Sequence, residues 1–471
     1  MTQQPTNGQR NGRRWAVRGS AALVAVLVAA GTIGAAHAAD LTGITARPAG
    51  RTVTPVPADA SRVCAGGLLQ LADASGADAT TASRVGHETV AAASTTGQVH
   101  RSTLAAASSG GSDPTVVTAR AGRTTPTVAG SGIQEADGDE VAGLAAASCD
   151  DPSTSSWLVG GSTETGRTSI VTLANPTDVN ATVDLDVFTT TGKVSAPGTT
   201  GIVVAPNTQK VVPLAGFVSD AASPVVHVTS SGGQIVATMQ ESIVRTLTPG
   251  GADVVQAAAT PSRTQTIPGV VLRDTDGAQH GDDTADAAPV VRVFVPGDAS
   301  AHLTMALTTA DGGGTTVQAT ADGGVVTDVP LDDFADGRYT VTVTADVPIV
   351  AGARTSTPTT DGRTDLGWFA SAPTLTGTTL VDVVDGPGAR LTLVNPTTSD
   401  ATVTMAAGGE RTTVTVAAGT TADTTVPTST ALTLRGVRGL VAGVSYAGDA
   451  GIAGFPLRPG ATASTPITVY P

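Results

Sequence analysis

Aromatic side chains are scarce: three tryptophans, three tyrosines and six phenylalanines are spread over 471 residues. Charged residues reach only 14%, about half the usual share, and lysine occurs twice, at Lys193 and Lys210. With no cluster of basic residues beyond the first 18 positions and a net charge of -14, the chain repels phosphate backbones, which excludes nucleic acid as a partner. The same composition argues against a multi-span membrane protein and against most enzymes, because few groups are left to act as acids, bases or nucleophiles. No window outside the N-terminus reads as a capped amphipathic helix. What fills the chain instead is Ala, Thr, Val and 56 glycines, the material of short strands and tight turns.

The start has a character of its own. Arg10, Arg13, Arg14 and Arg18 precede an uncharged stretch from Gly19 to Ala36, which ends in Ala36-His37-Ala38. Basic flank, apolar run and small-x-small end read as an export segment over 1–39, either a cleaved signal peptide or a retained membrane anchor. Residues 40–471 are therefore expected outside the cytoplasmic membrane. Two cysteines occur, Cys64 and Cys149, both on the exported side. An even pair in an oxidising compartment predicts one disulfide, and closing so long a loop contributes about 4 kcal/mol in the chain-entropy model.

An internal repeat organises the remainder. Val171-Thr172-Leu173-Ala174-Asn175-Pro176-Thr177 aligns without gaps to Leu391-Thr392-Leu393-Val394-Asn395-Pro396-Thr397, and a diverged copy runs through Val291-Arg292-Val293-Phe294-Val295-Pro296. Alternating apolar residues mark one buried face, and proline ends the strand where a turn must begin. Each copy closes on a matched run, Ile235-Val236-Ala237, Ile349-Val350-Ala351 or Leu440-Val441-Ala442. Short strands with turn signals between them predict an all-β protein of tandem immunoglobulin- or fibronectin-like β-sandwiches behind the export helix. The expected divisions are an irregular β region with the disulfide over 40–156, and modules over 157–262, 263–366 and 367–471. Trp157 and Trp368 introduce modules and are expected as plugs between them.

The export segment, Cys64, Cys149, the Trp157-Leu158-Val159-Gly160-Gly161 entry and the Asn175-Pro176 strand end together resemble an actinobacterial family of exported proteins with a domain of unknown function. The resemblance implies an envelope or secreted location and supplies no catalytic or binding residues.

Sites of chemistry are few. Gly443-Val444-Ser445-Tyr446-Ala447 has the outline of a nucleophile elbow, but the repeat places Ser445 opposite Gln240 and Arg354 in a β run with no helix after it. His87-Glu88 lacks the second histidine of a zinc motif, and His100, His227, His280 and His302 stand singly. In the acidic stretch from Arg273 to Ala288, Asp274, Asp276, Asp282 and Asp283 form the one candidate cation loop; it begins like a calcium loop but lacks the distal bidentate glutamate. No cofactor, metal or catalytic residue is expected. The reading is a non-catalytic structural or interaction protein of the cell envelope, partnered by an envelope protein or polysaccharide. A polysaccharide-binding role is the alternative, and a hydrolase the distant one.

Overall fold

The computed structural model describes residues 51–53, 56–71, 82–106, 111–279, 285–331, 334–460 and 467–469. The export segment over 1–39, and with it the question of a signal peptide or anchor, lies outside them, as do His280, Asp282 and Asp283. Contacts divide the chain into two units. In the smaller, Arg51–Val53 pairs antiparallel with Ile467–Val469. The larger, Pro57–Ala463, is built almost wholly of strands, and among the described residues no helix is long and apolar enough to cross a membrane.

Each repeat is a two-layer β unit. In the first, one sheet runs Ser155–Val159, Val225–Gly232, Ala181–Thr189, and the facing sheet runs Thr248–Val255, Val236–Arg245, Arg167–Asn175, Thr208–Pro213. Leu173, Val183, Leu185, Val226, Val228 and Met239 fill the space between, each aliphatic contributing roughly 1.5–3 kcal/mol by burial. The third repeat has the same plan, with Thr379–Val381, Leu432–Arg435, Ala401–Ala407 and Glu410–Val416 facing Thr421–Thr425, Arg390–Val394, Val441–Gly448 and Gly451–Pro456. In the second, the 22-residue strand Gly337–Pro358 serves both layers. Its first half pairs with Ser262–Leu272 and Ala301–Thr308, and its second half with Val290–Phe294 and Thr364–Ala370.

The repeat in sequence is a repeat in register. Leu173 lies opposite Ala237, Val293 opposite Ala351 and Leu393 opposite Ala442. The Asn-Pro-Thr element has a physical reason: the Asn175 amide donates to the carbonyls of Val179 (2.8 Å) and Val204 (3.0 Å) while its oxygen accepts from the Thr177 N–H. Asn395 repeats this on Ser399 (2.8 Å), Val416 (2.9 Å) and Thr397. A strand broken by proline loses ladder bonds, and the buried asparagine replaces them. The second copy, with Val295, makes its turn through Gly297 at φ 120° instead.

Trp368 belongs to Thr364–Ala370, which pairs with the long strand of the second repeat, so the expected start of a module at 367 falls inside a continuous sheet. Cys64 and Cys149 are joined. They tie the strand pair Ala60–Val63 and Thr115–Ala119 to the hairpin of Val128–Asp137 and Ala142–Ser148.

Candidate functional site

Four hairpins meet at the centre of the larger unit. Their inner strands, Ala142–Ser148, Thr248–Val255, Thr364–Ala370 and Gly451–Pro456, pack side by side in a closed ring. Among the described residues each pairs with a single strand of its own sheet, so four edges without a ladder partner, with N–H and C=O groups that a dry interior cannot leave unmet, face one another. Side chains supply what a ladder would. Leu144, Ala146 and Ser148, every second residue along one edge, donate their N–H groups to Asp365 Oδ2 (3.3 Å), Asp253 Oδ1 (3.4 Å) and Gln256 Oε1 (3.1 Å). Across the ring, Ile452 N–H donates to Asp365 Oδ2 at 3.0 Å and Trp368 N–H to Asp253 Oδ2 at 2.7 Å.

Glycine makes room for this. Gly143, Gly251 and Gly451 hold one position of three strands, with φ of 143°, 115° and 144°, and Asp365 holds it in the fourth. A Cβ on Gly451 would stand 1.8 Å from Asp365 Oδ2, and one on Gly143 2.3 Å from Oδ1. Asp365 and Asp253 are wholly buried. Burial pushes both carboxyls well above the usual carboxylate range despite the N–H groups that favour the anion, and Asp365 raises Asp253 further.

A second buried cluster joins the first and second repeats. Arg292, on Val290–Phe294, is 0% exposed. It donates to the carbonyls of Gly161, Pro224 and Ala222 and to Ser223 Oγ, and is held bidentate by Asp328. Its guanidinium lies 5.1 Å from the Trp368 ring centre, and the Trp368 indole N–H donates to buried Glu241. Burial raises the Glu241 carboxyl, with Arg354 opposing. Burial alone would raise Asp328 too, but Arg292 holds it below its ordinary value. Both module-entry tryptophans are buried at this junction: Trp157 stacks on His227 at 4.0 Å and packs against Phe188 and Phe294.

Clefts open on the larger unit beside these groups. One of about 480 Å³, lined by Glu135, Asp137, Asp361, Arg363 and Asp449, reaches Gly143 and Thr364 of the ring. Another of about 320 Å³ is lined by Asp150, Asp151, Ser153, Trp157, Thr260 and Arg458.

The residues singled out in the sequence are dispersed. Ser445 is buried in mid-strand and accepts from Arg338 Nε at 3.0 Å. His87 touches Ser112, and neighbouring Glu88 accepts from the Gly66 N–H, its carboxyl pushed up to about 7 by burial. His227 contacts Ser155, and exposed His302 pairs with Asp346. Of the acidic stretch, Asp274 caps the short helical turn Thr275–Ala278, which contains Asp276, while Asp286 is clasped by Arg167 and Arg245. Among the described residues no group of three or more His, Cys, Asp or Glu is placed to hold a metal ion. Asp253, Asp365, Glu241 and Arg292 escape a search for motifs. Their signal is a lone charge in an apolar strand run, as in Gly251-Ala252-Asp253-Val254-Val255.

Fold and site together define an all-β protein in which repeated two-layer units are riveted by buried polar groups. The chain belongs to a family of unknown function, DUF5719, whose model matches residues 104–427. Neither a curated protein nor a solved structure matches it.

Proposed function

We propose that this is a non-catalytic extracytoplasmic protein of the cell envelope that works as a rigid interaction platform. The observation that carries the reading is the ring: three repeats and the disulfide-tied N-terminal hairpin share one buried junction, an investment in fixed geometry. Supporting it, Ser445 and His227 are occupied in structural contacts, and the Cys64–Cys149 bond suits an oxidising compartment. Attachment to the cytoplasmic membrane through the N-terminal segment if that segment is uncleaved, or secretion if it is cut, is part of the proposal. In-cell crosslinking at the envelope should capture a discrete protein or polymer. Replacing Ser445, His87 and His280 together by Ala should leave the cellular role intact; loss of the role in a variant that keeps its fold and stability would favour the hydrolase alternative.

A second reading, an envelope polysaccharide as partner, is favoured by the cleft that brings carboxylates, Arg458, hydroxyls and Trp157 together. Protection of Trp157 fluorescence from acrylamide by purified envelope glycan would support it, and unchanged quenching would count against it.

A further inference from the structure

Each repeat ends one of its sheets in an edge strand, and the three edges differ in how they are guarded. In the first repeat the edge is broken into Gly192–Lys193 and Ile202–Val204, with Lys193 ending the first piece and Pro197 in between. In the third, Glu410–Val416 opens on Glu410 and Arg411. In the second, Gly314–Ala321 reads Gly-Thr-Thr-Val-Gln-Ala-Thr-Ala. Among the described residues it pairs on one side only, with Ala301–Thr308, through eight successive residues with no bulge. Charge, proline and bulges are the devices that keep an edge from pairing with another chain, and this edge has none of them.

We infer that Gly314–Ala321 is a docking edge whose occupant is the same strand of a second copy of this chain, antiparallel about a two-fold axis at Val317. The sequence is self-complementary in that register. Thr316 falls opposite Gln318, Thr315 opposite Ala319 and Gly314 opposite Thr320. The acids that flank the strand, Asp311 and Asp322, fall opposite Gly323 and Gly312, so no carboxylates meet although the chain as a whole carries a net charge of -14. Thr316, Gln318 and Thr320 are exposed, whereas Val317 and Ala319 pack on the core of their own repeat. The hydroxyl and amide face is thus available for cross-strand hydrogen bonds, and the pairing continues one sheet through two molecules.

The test is sedimentation velocity of the full chain in mild detergent, across the micromolar range. A monomer–dimer equilibrium is expected. Thr316→Lys with Gln318→Lys sets lysines directly opposite each other across the axis and should weaken the dimer about tenfold or more, even though it lowers the net negative charge. Thr413→Lys with Thr415→Lys, the same charges on the exposed edge of the third repeat, should leave it unchanged. Amide exchange within 314–321 should slow as concentration rises. A chain that stays monomeric, or a dimer that survives the 316/318 pair, overturns the proposal.

Discussion

Asp365 shows how one side chain can replace a missing strand partner. Its carboxyl and that of Asp253 accept the edge N–H groups of the ring, yet burial leaves both with raised affinity for a proton. In the unfolded chain these acids lose their protons near pH 4; in the folded chain they keep them to higher pH. Their contribution to stability is therefore full at low pH and is lost as pH rises through the folded values. The denaturation midpoint of the native protein should fall as pH rises above the ordinary carboxylate range, and Asp253→Asn with Asp365→Asn should flatten that decline. Equal slopes in the two proteins would show that these carboxyls do not titrate with folding.

Among the elements, the inner hairpins depend on a shared exchange of volume: Gly143 and Gly451 give up the space that the Asp365 side chain fills, and Gly251 lets the backbone of Asp365 and Leu366 approach. Gly451→Ala puts a methyl group 1.8 Å from Asp365 Oδ2 at a backbone φ of 144°, so it should destabilise by more than about 2 kcal/mol. Part of that loss belongs to the clash and part to the backbone. Adding Asp365→Gly should remove the first part, making the double variant less destabilised than the sum of the singles. Strict additivity in chemical denaturation would mean that the two strands do not meet as described.

For the whole molecule, a junction common to every repeat implies unfolding as one body. Trp368 is hydrogen bonded to Asp253 and Glu241 of the first repeat, while Ile452 of the third packs within the core of the second. Calorimetry of the chain should give one transition with matching calorimetric and van't Hoff enthalpies, where independent modules would give several. Cys64→Ser with Cys149→Ser should lower stability by about 2–5 kcal/mol. It should also leave the N-terminal hairpin the first segment to exchange its amides. An unchanged midpoint in the double variant would contradict a structural role for the bond.

Periodicity determined much of this without coordinates. Alternating apolar residues, Asn175-Pro176 against Asn395-Pro396, and the Ile235, Ile349 and Leu440 runs specify an all-β chain of matched units, because strand pattern and turn chemistry are local properties. Two cysteines specified one bond. Only tertiary structure decided that the N-terminal hairpin completes a ring with the repeats, that Trp368 closes a sheet of the second repeat, and that Asp286 is clasped by Arg167 and Arg245. The value of Asp253 and Asp365 lies in N–H groups contributed by strands as much as 221 residues away. A pattern of period two records which face of a strand is buried, and it carries no information about what meets its edge.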